Sequence, residues 1–366
     1  QSQMQAVSAG TWTGFPYLWS WGRNDYGQLG LGKTTNYSSP KQVGALTNWL
    51  SLACGLYYTV SIKTDGTLWS WGRNNYGQLG LGNVTYYSSP KQIGALTTWS
   101  SVSCGLGHTV SIKNDGTLWS WGRNNNGQLG LGNTTYYSSP KQVGALTNWS
   151  SVSCGSSHTV SIKTDGTLWS WGYNTYGQLG IGNTTYYSSP KQVGALTNWS
   201  SISCGYAHTV SIKTNGTLWS WGVNGDGQLG QGNATNLSSP KQVGALTSWS
   251  SVACGERNTV SIKTNGTFWS WGYNNFGQLG LGNVTDYNSP MQVGALTNWL
   301  SVSCGSYHTV SIKTDGTLWS WGRNSSGQLG LNNLTAYSSP KQVGALTSWT
   351  KLFKGYSGYS TLAIHS

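Results

Sequence analysis

A unit of fifty residues recurs along this chain without a gap, and that period constrains the fold more than any other feature. Leu-Trp-Ser-Trp-Gly starts at Leu18, Leu68, Leu118, Leu168, Leu218 and Leu318, and Phe-Trp-Ser-Trp-Gly at Phe268. Each copy is followed by Gly-Gln-Leu-Gly (first at Gly27, last at Gly327), then by Ser-Pro at Pro40 through Pro340. Gly-Ala-Leu-Thr and a tryptophan, Trp49 through Trp349, close the unit. Periods of about 20–50 residues mark solenoids, propellers and arrays.

Within a unit the runs Trp-Ser-Ser-Val-Ser-Cys, His-Thr-Val-Ser-Ile-Lys, Thr-Leu-Trp-Ser-Trp-Gly and Pro-Lys-Gln-Val are short, rich in β-branched and aromatic residues, and alternate with period two. No run carries a helical period, so each reads as a strand. We label them A (near 50–54), B (58–63), C (67–71) and D (40–43). Asp-Gly or Asn-Gly separates B from C at Asp65, Asp115, Asp165, Asn215, Asn265 and Asp315, which predicts a two-residue type I′ hairpin with φ > 0 at both central residues. Each unit is therefore expected to be a four-stranded antiparallel sheet.

The ends of the chain decide how seven sheets assemble. The N-terminal part supplies C and D (Tyr17–Trp21, Pro40–Val43) with no A and B before them. The C-terminal part supplies A and B (Trp349–Lys354, Ser360–His365) with no C and D after them. Two half-sheets that complete each other predict a closed ring, which also removes exposed sheet edges. The expected fold is all-β: one seven-bladed β-propeller over 15–366, preceded by an extension or linker, 1–14. On strand C, Trp69 and Trp71 share one face and Leu68, Ser70 and Gly72 the other. Leu52 and Cys54 share a face of strand A, opposite Ser51 and Ala53. Large against small lets neighbouring blades interlock. Burial of both faces accounts for a charged fraction of 8%, against about a quarter in an average soluble protein.

The pattern Cys/Ser-Gly-x-x-His-Thr-x-x-Ile-Lys-x-Asp-Gly-x-Leu-x-x-Trp-Gly-x-Asn-x-x-Gly-Gln-Leu-Gly-x-Gly resembles the repeat of the RCC1 (regulator of chromosome condensation) propeller superfamily, from about Tyr17 to His365. The resemblance implies the propeller fold. It implies no single activity, because that superfamily includes a nuclear exchange factor, a plant ultraviolet photoreceptor and a secreted bacterial inhibitor of β-lactamase. Near-identical repeats of this Trp-Ser-Trp-Gly type are also similar to those of bacterial and phage-encoded proteins.

Enzyme chemistry finds little to use here. Cys54, Cys104, Cys154, Cys204, Cys254 and Cys304 occupy one slot on successive blades, and packed sheets lie about 10 Å apart. Bridged Cα atoms need about 4.4–6.8 Å, so buried free thiols are expected. His108, His158, His208 and His308 also share one slot, again too widely spaced for a metal ring. Gly27–Thr34 matches the phosphate-loop pattern, but no helix follows and the other copies have Asn in place of Lys33. Of eight acidic residues, four sit in the Asp-Gly turns and Asp25, Asp226, Glu256 and Asp286 are isolated. No enzyme, no cofactor and no metal are expected.

The formal charge of +12 comes largely from two repeated slots, Lys41, Lys91, Lys141, Lys191, Lys241, Lys341 and Lys63, Lys113, Lys163, Lys213, Lys263, Lys313. Repetition spreads these around the ring for solubility and edge protection, so no stripe forms and no specific nucleic-acid partner is expected. No apolar run is long enough to span a membrane. The chain begins at Gln1 with no secretory signal, which reads as a processed product, a fragment, or part of a larger assembly.

What varies among near-identical copies is the functional signal. In a meander, the A–B and C–D connections lie at one end of every sheet, and both vary, while the turns at the other end scarcely change. The C–D side offers Arg23, Asp25, Tyr26, Arg73, Tyr76, Arg123, Tyr173, Tyr176, Tyr273, Phe276 and Arg323. The A–B side offers Tyr57, Tyr58, His108, His158, Tyr206, His208, Glu256, Arg257, Tyr307, His308 and Tyr356, the last within a two-residue insertion. Tyr and Arg with small polar neighbours are the composition of recognition surfaces. The sequence therefore predicts a non-enzymatic module binding a protein or glycan through this face. Its concrete form is an extracellular or virion-associated adhesin or phage receptor-binding protein. The alternatives are a structural virion or surface component, an RCC1-like regulator of a GTPase or chromatin, and, from the tryptophan density, a light sensor.

Overall fold

The computed structural model describes residues 16–353, 355 and 358–366. The expected extension at 1–14 and the site residue Tyr356 lie outside the described residues. Among the described residues, twenty-eight strands form seven four-stranded antiparallel sheets. In the second blade A is Trp49–Cys54, B is Tyr58–Lys63, C is Leu68–Gly72 and D is Tyr87–Gln92. The pattern repeats through the seventh blade, which ends with D at Tyr337–Gln342. The first blade is composite: Tyr17–Gly22 and Tyr37–Gln42 join Ser360–His365 and Trp349–Leu352 in one sheet. Tyr17 pairs with His365 and Gly22 with Ser360, so the ring closes as the chain ends require. Among the described residues no helix is long and apolar enough to cross a membrane.

Two local details differ from the sequence reading. Strand D starts three residues before the proline, at Tyr37, and the ladder slips between Ser20↔Lys41 and Gly22↔Tyr37. Pro40, with no N–H to donate, is tolerated because D is the outer edge strand. The B–C connection is not a type I′ turn. Gly66 has φ +76°, but Asp65 is not among the residues with positive φ. The Gly66 N–H bonds to Lys63 O (2.9 Å), and the Lys63 N–H to Thr67 O (3.0 Å). This is a type I turn followed by a left-handed glycine, the three-residue hairpin with a bulge. The aspartate is there for its carboxylate: Asp65 Oδ1 accepts from the Thr67 N–H (2.9 Å) and hydroxyl (2.6 Å).

The blades interlock as the alternation requires. Trp49, Trp69 and Trp71 form an edge-on cluster, with Trp49 5.8 Å from Trp71 and 6.3 Å from Trp69. This face packs on Leu18 and Val43 of the preceding blade. The opposite face, Ala53, Val60, Ile62 and Leu68, receives Trp99 and Trp121 of the next. A polar contact fixes the register of each seam. Gln28 O accepts from Trp71 Nε1 (2.9 Å) and Thr59 Oγ1 (2.9 Å) of the following blade. The same pair recurs at every seam, ending with Trp21 and Thr361 on Gln328 O. Gly30, at φ +74°, is obligatory beside it, because a Cβ would stand 2.8 Å from Trp71 Nε1.

The lysines of strand B do not protect an edge. They lie over tryptophan rings, with Lys213 Nζ 3.6 Å from the Trp219 centroid. Burial pushes the pKa of Lys163, Lys213, Lys263 and Lys313 down. The Lys41 series does sit on the outer strand, over tyrosines such as Tyr37. The A strands line an axial channel of about 380 Å³ with residues such as Ser153, Ser203 and Ser303. All six cysteines are buried free thiols, and desolvation raises their pKa, to about 12 for Cys204 and Cys304.

Burying a tryptophan of the Trp71 type is worth roughly 4–6 kcal/mol, and the indole hydrogen bond about 1 kcal/mol. Packing therefore supplies the stability and the hydrogen bond the register. Trp121→Phe, which keeps an aromatic ring but removes the donor to Gln78 O, is expected to cost about 2 kcal/mol in urea denaturation. The thiols are expected to ignore an aromatic disulfide reagent in the folded protein and to react fully once it is denatured.

Candidate recognition face

The variable loops sit on a rigid frame. Asn24 is fully buried; its Nδ2 donates to Lys33 O (2.9 Å) and Thr35 O (3.0 Å), and its Oδ1 accepts from the Leu29 N–H (2.9 Å). The equivalents Asn74 through Asn324 hold every C–D loop in the same way. The A–B loops are tied edge to edge around the axis. Leu106 N–H donates to Ser156 O, Ser156 to Tyr206 O, Tyr206 to Glu256 O, Glu256 to Ser306 O, and Ser306 to Gly358 O, at 3.0–3.2 Å.

The largest assembly on this face is an arc of arginines interleaved with aromatic rings. Arg323 lies 4.9 Å from the centroids of both Phe276 and Tyr359. Arg23 lies over Tyr57 (5.1 Å) and Tyr359 (5.6 Å), Arg73 over Tyr26 (5.3 Å), and Arg123 over Tyr76 (5.3 Å). The rings also touch one another: Tyr26 and Tyr57 are 5.0 Å apart, and Phe276 and Tyr307 5.2 Å. The residue two positions on aims three of the guanidinium groups, since Nε donates to Asp25 (2.6 Å), Asn125 (2.8 Å) and Ser325 (3.0 Å). The lysines are spread around the ring, but these four arginines occupy successive blades and do form a basic stripe.

Other predicted residues fall elsewhere. Tyr173 and Tyr176 form a separate cluster with Tyr186. Tyr206, Glu256 and Arg257 lie beside the C–D loop carrying Asp226, and Arg257 also covers Tyr273 (5.0 Å). Tyr58, His108, His158, His208 and His308 are corrected: all are at most 1% exposed and cannot meet a partner. They are seam residues. Tyr58 OH donates to His108 O (2.5 Å), and His108 Nε2 pairs with Thr159 Oγ1 of the next blade (3.1 Å). The slot is shut in the seam, between the glycine of its own A–B loop (Gly105 for His108) and strand B of the next blade. Tyr86, Tyr136 and Tyr359 belong to the face but were not among the predicted residues. Their signals were the variable C–D connection, where Tyr86 and Tyr136 occupy the position of Asn36, and the final insertion. Among the described residues, no group of three or more His, Cys, Asp or Glu is placed to hold a metal ion.

The comparisons with known proteins agree with the architecture. The RCC1-like domain matches residues 147–365, and the RCC1 repeat matches 17–62, 65–112 and 115–162. The chain belongs to the RCC1-like propeller family. Among curated relatives it resembles Protein RCC2 homolog of Danio rerio (43% identity) and Protein RCC2 of Homo sapiens (40%). Each match spans 53 residues, 14% of this chain and 11% and 10% of those proteins, so the chain covers about a tenth of their length. Among solved structures, human WBSCR16 superposes with a TM-score of 0.86 at 22% identity, covering 96% of this chain and 99% of that one. Prp20p of Saccharomyces cerevisiae, described with its binding properties to Gsp1p and histones, gives 0.86 at 20% identity over 97% and 92%. These structures share the fold.

The buried histidines set a pH limit. Desolvation lowers His108, His158, His208 and His308 to about 3, against about 6.5 when unfolded. Below pH 6.5 the unfolded chain takes up protons that the folded chain refuses. Their contribution is therefore intact above about 6.5 and lost as pH falls toward 3, by roughly 1 kcal/mol per histidine per pH unit. Thermal unfolding is expected to move steeply downward with acidification. A variant with all four changed to Asn, as Asn258 already is, should show a flatter dependence.

Proposed function

We propose that this chain is a non-enzymatic protein-recognition propeller that seats its partner on the face carrying the A–B and C–D loops. The observation that carries this reading is the arc from Arg323 through Arg23 and Arg73 to Arg123, threaded with Phe276, Tyr359, Tyr57, Tyr26 and Tyr76. Arginine and tyrosine are the residues that dominate binding hot spots. Here each guanidinium is already held against a ring, so little side-chain entropy remains to be lost on docking.

The relatives bear on the class of partner. Prp20p is described as binding Gsp1p and histones, and a further structure shows Kap60 bound to yeast RCC1. A regulatory partner, a GTPase or a chromatin protein, is better supported than the adhesin, phage receptor-binding or virion role expected from the repeat type. None of the comparisons supports those roles.

The test is to titrate the immobilised chain with core histones and with a nucleotide-free small GTPase. The triple variant Arg23→Ala/Tyr57→Ala/Arg73→Ala is expected to weaken binding about tenfold or more while thermal unfolding is unchanged. If that variant binds normally and Thr64→Glu with Thr164→Glu abolishes binding, the partner sits on the opposite face and the reading is wrong.

A further inference from the structure

Beyond the arc, the same face holds a pocket of opposite character. It is a cavity of about 300 Å³ between the loops of the fourth to seventh blades, walled by Tyr176, Tyr206 and Tyr307 and carrying Asp226, Glu256 and Arg257. We propose that it is a binding site for an organic cation, an aliphatic ammonium or guanidinium group.

The distribution of negative charge is the first argument. The chain has eight acidic residues against twenty basic ones. Asp65, Asp115, Asp165 and Asp315 are spent on the hairpin threonines at the other end of the sheets. Asp25 orients Arg23, and Asp286 caps the Asn274 N–H (2.6 Å). The remaining two, Asp226 against Arg257 and Glu256 against Tyr307, both line this one cavity. A surface otherwise biased toward arginine thus becomes net negative where the rings leave a space.

The state of the carboxylates is the second. Asp226 is only 14% exposed, and its Oδ2 lies 2.7 Å from Arg257 Nη2. That oxygen is itself fully buried, and the Arg257 guanidinium is the cation that meets it. Desolvation accordingly raises the Asp226 pKa. Tyr307 rises as well, through burial first and then the negative charge and hydrogen bond of Glu256. A buried carboxylate is stable only when a cation meets it. The cation present, Arg257, is 45% exposed and sits on a loop tip. It occupies the mouth as an internal stand-in, and its guanidinium is the chemistry an incoming group would supply.

The aromatic walls are the third. Ring faces attract cations through their quadrupole, and tyrosine cages with nearby carboxylates suit ammonium and guanidinium groups. The neighbouring A–B loops are bonded through Tyr206 N–H to Glu256 O (3.2 Å) and Glu256 N–H to Ser306 O (3.2 Å), so the cage is preformed. The proposal does not require a protein on the arc, because a free cation and a basic side chain of a partner present the same group.

The experiment is a ligand-observed NMR titration of the whole chain at low ionic strength. The probes are choline chloride, N-acetyl-arginine amide, an Arg-Lys tetrapeptide and, as a negative control, N-acetyl-glutamate amide. The three cationic probes are expected to bind saturably and the glutamate derivative not. Asp226→Asn/Glu256→Gln, which keeps the shape and removes the charge, should weaken binding about tenfold or more. Arg257→Ala should tighten it, because the stand-in is gone. Arg73→Ala, on the arc, should leave it unchanged, which separates this site from the docking reading above. Binding of choline and N-acetyl-arginine amide supports a site open to free cations. Binding of the tetrapeptide alone, still lost in the Asn/Gln variant, supports a site for a basic side chain. The proposal is overturned if no cation binds to the wild type or to Arg257→Ala, or if binding survives the Asn/Gln variant in a chain shown to be folded by circular dichroism.

Discussion

A backbone carbonyl takes two hydrogen bonds across each seam of this ring, and the remaining geometry follows from that. Gln28 O and its six equivalents receive an indole N–H and a threonine hydroxyl from the next blade. The contact is small in energy beside the burial of the tryptophan that makes it. It is nonetheless specific in angle and depth, where hydrophobic packing is not. The Gly-Gln-Leu-Gly loop must present that carbonyl, so its glycines, its buried asparagine and its path are all fixed. The loops that vary are extensions of this fixed element, which is why they can carry recognition without disturbing the wheel.

The two halves of the recognition face differ in charge for a reason rooted in the repeat. Half of the acidic residues are consumed as turn acceptors at the opposite end, so the loop face starts out basic. The arc from Arg323 to Arg123 exploits that bias. The sector around Asp226 and Glu256 reverses it, and Arg257 compensates only part of the reversal. A partner that carries both an acidic segment and a basic side chain would find both counterparts on one rigid surface.

The period, the strand types, the closure and the identity of the variable face were all legible in the sequence, because each depends on local pattern and on which half-blade stands at which end. The turn chemistry was misread, since Asp-Gly suits two hairpin geometries and the backbone angle of Asp65 and the bond from Gly66 N–H to Lys63 O distinguish them. The histidines were placed on the face because their slot borders a variable loop. The first residue of strand B turns into the seam, where His108 meets Thr159 fifty-one positions away. The arc was invisible for a different reason. Arg323 and Arg23 are three hundred residues apart in the chain and become neighbours, sharing Tyr359, only when the ring is shut.

Seven seams built from the same three groups carry no information about which blade belongs beside which. Adjacent blades are kept in order by tether length alone, since only the six residues between Gln42 and Trp49, and their equivalents, link one sheet to the next. The one joint without a tether lies inside the composite first blade, where Tyr17–Gly22 meets Ser360–His365 through strand pairing alone, and beside it the chain does depart from its pattern, with Phe353 in a slot otherwise held by small residues and the partner threonine displaced to Thr361. A chain of this kind can gain or lose a whole fifty-residue segment by unequal recombination and keep every seam chemically intact. Only the angle subtended by each wedge, and the mismatch at that last joint, then decide how many blades the circle accepts.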